Sequence, residues 1–289
     1  MRKANTWTEL VHARLKDRNA PDRFRLDKLE MKAVAERCKV RTPAVLASFD
    51  TAADIDLSTL PNRIALKPTH YAGKRGVFIL ERRKGGYFDR FQKEMLREAD
   101  IRSQLTTLSE AMPRKGNTFV AEEFVRGENE GIPFDYKLYV FDGVVRFILQ
   151  IDRNTEPASL AFMDGQFNPL PKKRIVWTPG KSLLSKPTRP RNYQAMLDTA
   201  KAISLDMKAN FISVDLYTDG KAVTLGEITP APGGPYFGGL FSFSPYFDWL
   251  LGWHWRRASK RHGYPIPSIA DDPPVITRRQ AAGVEIAEP

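Results

Sequence analysis

Val214-Asp215-Leu216 and Leu225-Gly226-Glu227-Ile228-Thr229 carry two carboxylates on what read as consecutive strands, joined at Thr218-Asp219-Gly220-Lys221. Apolar residues fill both runs (Phe211, Ile212, Val214, Leu216; Ala222, Val223, Leu225, Ile228), and Asp-Gly between such runs signals a hairpin. If Thr218 faces Lys221 or a near neighbour, Asp215 and Glu227 lie on a diagonal of the ladder, ~7–8 Å apart at Cα. Carboxylates that close repel unless a cation separates them, and Mg²⁺ with nucleotide phosphates is a natural occupant. Solvated acids on an exposed hairpin would give the same pattern. The pair by itself leaves both readings open.

The chain has 289 residues, enough for one large or two modest domains, and the composition of a soluble globular protein. Its one cysteine, Cys38, excludes an internal disulfide framework and suits a reducing compartment as an inert thiol. No run approaches the ~20 apolar residues that span a bilayer, and the N-terminus is not an apolar signal core. A cytoplasmic location is therefore expected, with peripheral attachment at the inner membrane face compatible with the charge. Forty-five basic residues against 34 acidic give a formal charge of +11, which favours anionic partners without choosing among them. A nucleic-acid-binding protein has that charge alone in its favour; no reading helix, RNP motif or zinc site accompanies it. The four histidines, His12, His70, His254 and His262, lack metal-site spacing.

Helical spacing is expected over residues 6–40, with Leu26, Leu29, Ala33 and Val34 on one stripe. Strands follow around 45–47, 63–67 and 76–80, then a helix over 88–111 and a strand over 118–125. Residues 155–191 read as loops with one strand near Ile175-Val176-Trp177. Helices follow over 192–208 and 245–258, and a Pro-rich flexible tail ends the chain.

Tyr136–Phe141 and Val144–Ile151, joined by Asp142-Gly143, form the clearest hairpin. A two-residue turn pairs Phe141 with Val144, Tyr139 with Arg146 and Lys137 with Ile148. Tyr136, Leu138, Val140, Val145, Phe147 and Leu149 then share an apolar face, while Lys137 and Arg146 lie together on the other. Such a basic pair suits phosphate binding, or stands solvated. Lys67-Pro68-Thr69-His70-Tyr71-Ala72-Gly73-Lys74-Arg75-Gly76 links two strands with glycines and cations, as an anion-binding nest would. It is not the GxxxxGK[ST] loop, so a P-loop NTPase is not indicated. An ordinary surface hairpin also fits. Ala121-Glu122-Glu123-Phe124-Val125 ends a strand, where an adenine ring can take backbone hydrogen bonds and a carboxylate can reach ribose.

Taken in order, these segments resemble the ATP-grasp superfamily, most closely its teichuronopeptide-biosynthesis-like (TupA-like) polysaccharide branch. The matching stretches lie at 60–70, 120–125, 134–143 and 214–234, and the resemblance covers roughly residues 25–255. It implies an α+β fold, two lobes with mainly antiparallel sheets enclosing the nucleotide. The lobes would fall at 61–133 and 134–260, after an N-terminal subdomain (1–60) and before a tail (261–289). Lys67 would contact the α-phosphate, and His70, Gly73, Lys74 and Gly76 the β- and γ-phosphates. Glu122, Glu123, Phe124 and Val125 would form the adenine hinge, with Glu128 a ribose acid that Asn129 and Glu130 rival. Lys137, Arg146 and Arg153 would steady the transferred phosphoryl group. Asp215, Glu227 and Thr229 would hold Mg²⁺, or Mn²⁺ in its place. Thr229 stands where the superfamily often has asparagine, and the loop has fewer glycines than usual.

The implied activity is a Mg²⁺-ATP-dependent carboxylate–amine ligase acting through an acyl phosphate. Its partners would be ATP, an anionic carboxylate-bearing acceptor of the cell envelope and an amine donor, with no specific nucleic acid. A kinase of a sugar or small-molecule hydroxyl would keep the same ATP site. No Ser-His-Asp array is evident, which agrees with catalysis by positioning and charge.

Overall fold

The computed structural model describes all residues except 1, 18, 23, 25–27, 72–74, 233–238 and 270–289. The chain divides into two compact units. A split unit combines residues 1–41 with 134–289, and an inserted unit is the continuous segment 42–133.

The split unit opens with β1 (Arg2–Lys3), α1 (Trp7–Lys16) and α2 (Lys28–Arg37). Within the insert come β2 (Val45–Phe49), β3 (Arg63–Pro68), β4 (Phe78–Arg83), β5 (Gly86–Asp89), β6 (Glu94–Leu96), α3 (Glu98–Ala111) and β7 (Phe119–Glu123). The split unit resumes with β8 (Asp135–Phe141), β9 (Val144–Asp152), β10 (Ser159–Asp164), β11 (Ile175–Trp177) and β12 (Leu183–Leu184). It ends with α4 (Tyr193–Asp206), β13 (Ile212–Thr218), β14 (Val223–Thr229), β15 (Phe241–Phe243), α5 (Pro245–His262) and β16 (Ser268–Ile269).

Local chemistry sets several ends. Thr6 and Glu9 form a capping box on α1: Glu9 N donates to Thr6 Oγ1 at 3.2 Å and Thr6 N to Glu9 Oε2 at 3.1 Å. Proline at the first position starts α5, and Gly263 closes it at φ 73°. The helical stretch expected over 6–40 is two helices, Trp7–Lys16 and Lys28–Arg37, and Leu26 lies outside the described residues. The helix expected from 88 begins only at Glu98. Before it, Phe88-Asp89 belongs to a strand paired with Leu80 and Glu81, and the Asp89 carboxylate accepts from Ile79 N and Phe91 N, both at 3.0 Å. Residues 155–191 hold three strands rather than one. The tail expected from 261 is still α5 to His262, and β16 then pairs with β1; residues 270–289 lie outside the described part.

The inserted unit is a six-stranded antiparallel sheet in the order β2-β7-β3-β4-β5-β6. Because β2 pairs with β7, residues 42–60 fall in the inserted unit, apart from residues 1–41 with which they were expected to form an N-terminal subdomain. Alternation in β3 sends Ile64 and Leu66 into a core with Ile101 and Leu105 of α3, while Ala65 and Lys67 take the other face. The split unit has a six-stranded sheet, β12-β10-β9-β8-β13-β14, antiparallel except for β10 with β12. Helices α2 and α4 pack on one face and α1 and α5 on the other, so both faces are core.

That two-sided burial overturns the face assignment expected for the β8–β9 hairpin. Its turn is as read, with Asp142 at φ 48° and Gly143 at φ 77°. A bulge at Arg146 then shifts the register, pairing Tyr139 with Phe147, Leu138 with Ile148 and Lys137 with Leu149. Phe147 and Leu149 therefore join Tyr139 in the core against α1 and α5, and Arg146 does not neighbour Lys137 in the ladder.

Candidate functional site

In the split unit three adjacent strands set a row of charges across the sheet. Lys137 on β8 faces Asp215 on β13, which faces Glu227 on β14. The expected diagonal between the acids is a direct cross-strand pair, because a bulge at Gly226 takes up one residue between Glu227 and Leu225. A Cβ at Gly226 would stand 2.6 Å from the Tyr217 ring, so any larger residue would have to displace that ring. Thr229 falls one row further along, opposite Ser213.

Lys137 Nζ contacts Asp215 Oδ2 and lies 3.2 Å from Asp135 Oδ2. Arg153 Nη2 donates to the same Asp135 oxygen at 3.0 Å, and Ser213 Oγ donates to Asp215 Oδ1 at 3.0 Å. Asp135 and Asp215 are buried, while Glu227 is exposed. Burial pushes the Asp215 carboxyl up, Lys137 draws it down, and Asp135 and Glu227 push it up again, to about 7. For Asp135 burial also opposes charge, but Lys137 and Arg153 outweigh it and hold the carboxyl below its ordinary value. Burial, then Asp135, raises the Tyr217 phenol.

Three carboxylates here meet two cations, and Asp135 Oδ1 is buried with no hydrogen-bond partner among the described residues. Oxygen donors in negative excess suit a hard divalent cation. Among the described residues no three His, Cys, Asp or Glu side chains form a metal-holding group by themselves. Mg²⁺ is usually held by one or two carboxylates completed by water and phosphate oxygens, so Asp215 and Glu227 fit that ion. Arg146, by contrast, is exposed and electrostatically coupled to Arg257 and His254. Asp135, Ser213 and Tyr217 were not anticipated. Their signal was strand spacing: each stands two residues from Lys137 or Asp215, on the same face.

The inserted unit holds the other candidates. Lys67 on β3 pairs with Glu122 on β7, Nζ to Oε2 at 2.6 Å. Beside them on that face lies a small apolar cluster of Ile79, Phe124 and Ile132, with Ala65 and Phe91 against it. Glu123 is half-buried and its backbone N donates to Ala44 O at 2.8 Å. A cavity of about 600 Å³ next to this strand end is lined by Leu46, Arg63, Glu123, Phe124, Arg126 and Glu130, among others. Val125 is half-buried and Glu128 exposed, while Glu130 is tied to Arg126 at 3.0 Å.

The expected phosphate loop is hydrogen-bonded where it begins, and at its far end Gly76 packs closely on α3. Thr69 N donates to Thr118 O at 2.8 Å, and His70 N donates to Asn117 Oδ1 at 3.1 Å. Gly76 has φ 68°, and a Cβ on it would stand 2.8 Å from Leu108 on α3. Its glycine is thus explained by conformation and packing. Gly73 and Lys74 lie outside the described residues.

The chain belongs to the TupA-like ATP-grasp family, whose profile matches residues 8–254. Its α+β architecture of antiparallel sheets is accordingly an ATP-grasp fold. Among solved structures the chain is similar to the D-alanine–D-alanine ligase from Helicobacter pylori, at 14% identity and TM-score 0.43, covering 84% of this chain and 59% of that one. It is also similar to the D-alanine–D-alanine ligase from Bacillus anthracis complexed with ATP, at 17% and 0.43, covering 82% and 68%. A third likeness is to the macrocyclase MdnC bound with precursor peptide MdnA from Microcystis aeruginosa MRC, at 13% and 0.40, covering 88% and 61%. This chain spans about three fifths of the length of the first and third of these. No curated protein matches it in sequence.

Proposed function

We propose that this protein is a Mg²⁺-ATP-dependent ligase that joins a carboxylate to an amine through an acyl phosphate. The observation that carries the reading is the Glu227–Asp215–Lys137 row, backed by Asp135 and Arg153, in which acids outnumber cations on three adjacent strands. Lys137 and Arg153 would steady the transferred phosphoryl group; Arg146, exposed and near Arg257, would not share that role. Asp215 and Glu227 would hold Mg²⁺, or Mn²⁺, with the Thr229 hydroxyl a weaker third donor. When bound, the ion supplies charge neutralisation on the phosphate oxygens. Lys67 would exchange Glu122 for the α-phosphate, residues 122–125 would offer backbone groups to adenine, and Glu123 or Glu128 a carboxylate to ribose. His70 and Gly76, either side of the loop, would frame the outer phosphates together with Gly73 and Lys74.

In that scheme an acceptor carboxylate oxygen bonds to the γ-phosphorus as the bond to ADP breaks. An amine then attacks the acyl carbon, phosphate leaves with the acyl–oxygen bonding pair, and the amine loses its proton. Positioning and cationic side chains carry both steps without a covalent nucleophile. The +11 charge supports an anionic acceptor, for which a carboxylate-bearing cell-envelope glycan is our choice. A cytoplasmic setting goes with an ATP-dependent reaction and a lone cysteine.

Asp215→Asn and Glu227→Gln should each lower phosphate release from ATP by about 100-fold or more while leaving the folded circular dichroism spectrum intact. Full turnover in either variant would remove the metal assignment. Across a panel of carboxylates and amines, the expected product is an amide with free phosphate. A stable phosphorylated hydroxyl would overturn the ligase in favour of a kinase.

A further inference from the structure

Helix α5 carries three aromatic side chains on its outer face. Tyr246, Trp249 and Trp253 are 59%, 39% and 36% exposed and recur at i, i+3 and i+7, one stripe of the helix. Arg257 and Lys260, both exposed, continue that stripe, flanked by Arg256 and Arg261. The opposite stripe, Phe247, Leu251, Trp255 and Ala258, is core. Four turns therefore run from aromatic to basic along a surface that the described residues of this unit leave exposed.

Cations also support the rings from neighbouring positions. The Arg174 guanidinium stands 4.8 Å from the Tyr246 ring centre and that of Arg257 5.3 Å from Trp253. The one carboxylate of α5, Asp248, turns inward, accepting from Thr8 N at 2.9 Å and Thr8 Oγ1 at 2.7 Å. Exposed aromatic clusters of this kind mark interaction surfaces. Trp and Tyr, apolar with one polar atom, settle at the boundary between headgroups and acyl chains, and Lys and Arg are drawn to anionic lipid. A sugar ring would call for a concave pocket, whereas this is the convex side of a helix. No helix among the described residues is long and apolar enough to cross a membrane, so contact would be with the surface.

We infer that the outer face of α5 seats this protein on an anionic phospholipid surface. The three rings enter the headgroup zone while Arg257 and Lys260 meet lipid phosphates. This surface is independent of the ATP chemistry proposed above, so either can fail without the other.

Co-sedimentation of the full chain with vesicles tests it. One set is phosphatidylcholine alone and the other contains phosphatidylglycerol at about one lipid in three. Binding to the anionic set should be about tenfold tighter or more, should weaken with salt, and should shift tryptophan emission to the blue. The double variants W249S/W253S and R257E/K260E should each lose about tenfold in binding, with thermal midpoint and ATP turnover unchanged. Equal binding to both sets, double variants that bind like the wild type, or no emission shift overturns the inference. So does tryptophan-dependent binding to a soluble acidic polysaccharide without binding to vesicles, which would assign the face to glycan.

Discussion

Lys137 touches two buried carboxylates, so its removal has two separable effects. Lys137→Met takes from Asp215 its contacting cation among the described residues and leaves Asp135 with Arg153, which should cost about 3–5 kcal/mol, the scale for breaking a buried ion pair. Millimolar Mg²⁺ should restore more of the melting temperature in this variant than it adds to the wild type, because a divalent cation has the vacated charge to answer. Thermal unfolding with and without Mg²⁺ measures this without reference to activity. A variant as stable as the wild type, or one indifferent to Mg²⁺, contradicts the charge account. At this scale the candidate positions Asp215, Glu227, Lys67 and Lys137 stand out in the sequence, since a charge inside an apolar strand is conspicuous; the roles proposed for Asp215, Glu227 and Lys137 await the variants above. Asp135 was legible only in part: its spacing from Lys137 was visible, but its contact with Arg153 depends on β9 returning beside β8.

Bulges account for the largest differences between the sequence reading and the fold. Period-two alternation fixes a face only while the register holds, and one extra residue transfers everything beyond it to the other side. At Arg146 this separated Arg146 from Lys137 and moved Phe147 from the face of Tyr136 and Leu138 to that of Tyr139; at Gly226 it set Glu227 directly opposite Asp215. Neither residue announces itself, since bulges depend on what packs above them. By contrast, Asp142-Gly143 was read correctly because both turn residues need positive φ and the dipeptide states that preference locally. Gly226→Ala should cost about 1–3 kcal/mol as its Cβ meets the Tyr217 ring, and should lower ATP turnover by misplacing Glu227. Chemical denaturation together with turnover measures both; loss of neither would show that the bulge does not depend on glycine. The helix misread over 88–97 has a tertiary cause, the Asp89 carboxylate holding two backbone N–H groups in a strand turn.

For the molecule as a whole, the excess positive charge has a consequence for acid stability. Burial first, then Arg146 and Arg257, lowers the His254 pKa to about 4. A histidine whose folded pKa lies below its unfolded value of about 6.5 contributes stability that is fully present above pH 6.5. That contribution is lost as the pH falls toward 4, because the unfolded chain takes up the proton first. His254→Gln should therefore flatten the unfolding free energy between about pH 6.5 and pH 4, by about 1–2 kcal/mol after allowance for solvent screening. Urea titrations at the two ends of that window give the difference directly. An unchanged slope would assign the acid limb to other groups.

The division of the chain into a split unit and an insert also sets an order of assembly at the ribosome. Residues 42–133 contain every strand of their own sheet, so the insert has all its partners once that segment has emerged. Helix α1, made earlier, has none of its own: Trp7 packs against Tyr139, Phe211 and Phe243, and Arg14 stacks on Trp255 and donates to the carbonyls of Phe211 and Pro230. Helix α1 thus precedes most of the residues it packs on by well over a hundred positions and settles late, with Trp7 awaiting Tyr139, Phe211 and Phe243 and Arg14 awaiting Trp255 of α5. A nascent chain stalled before residue 241 would carry a finished insert beside an unfinished partner, and its exposed α1 is the segment a chaperone would meet.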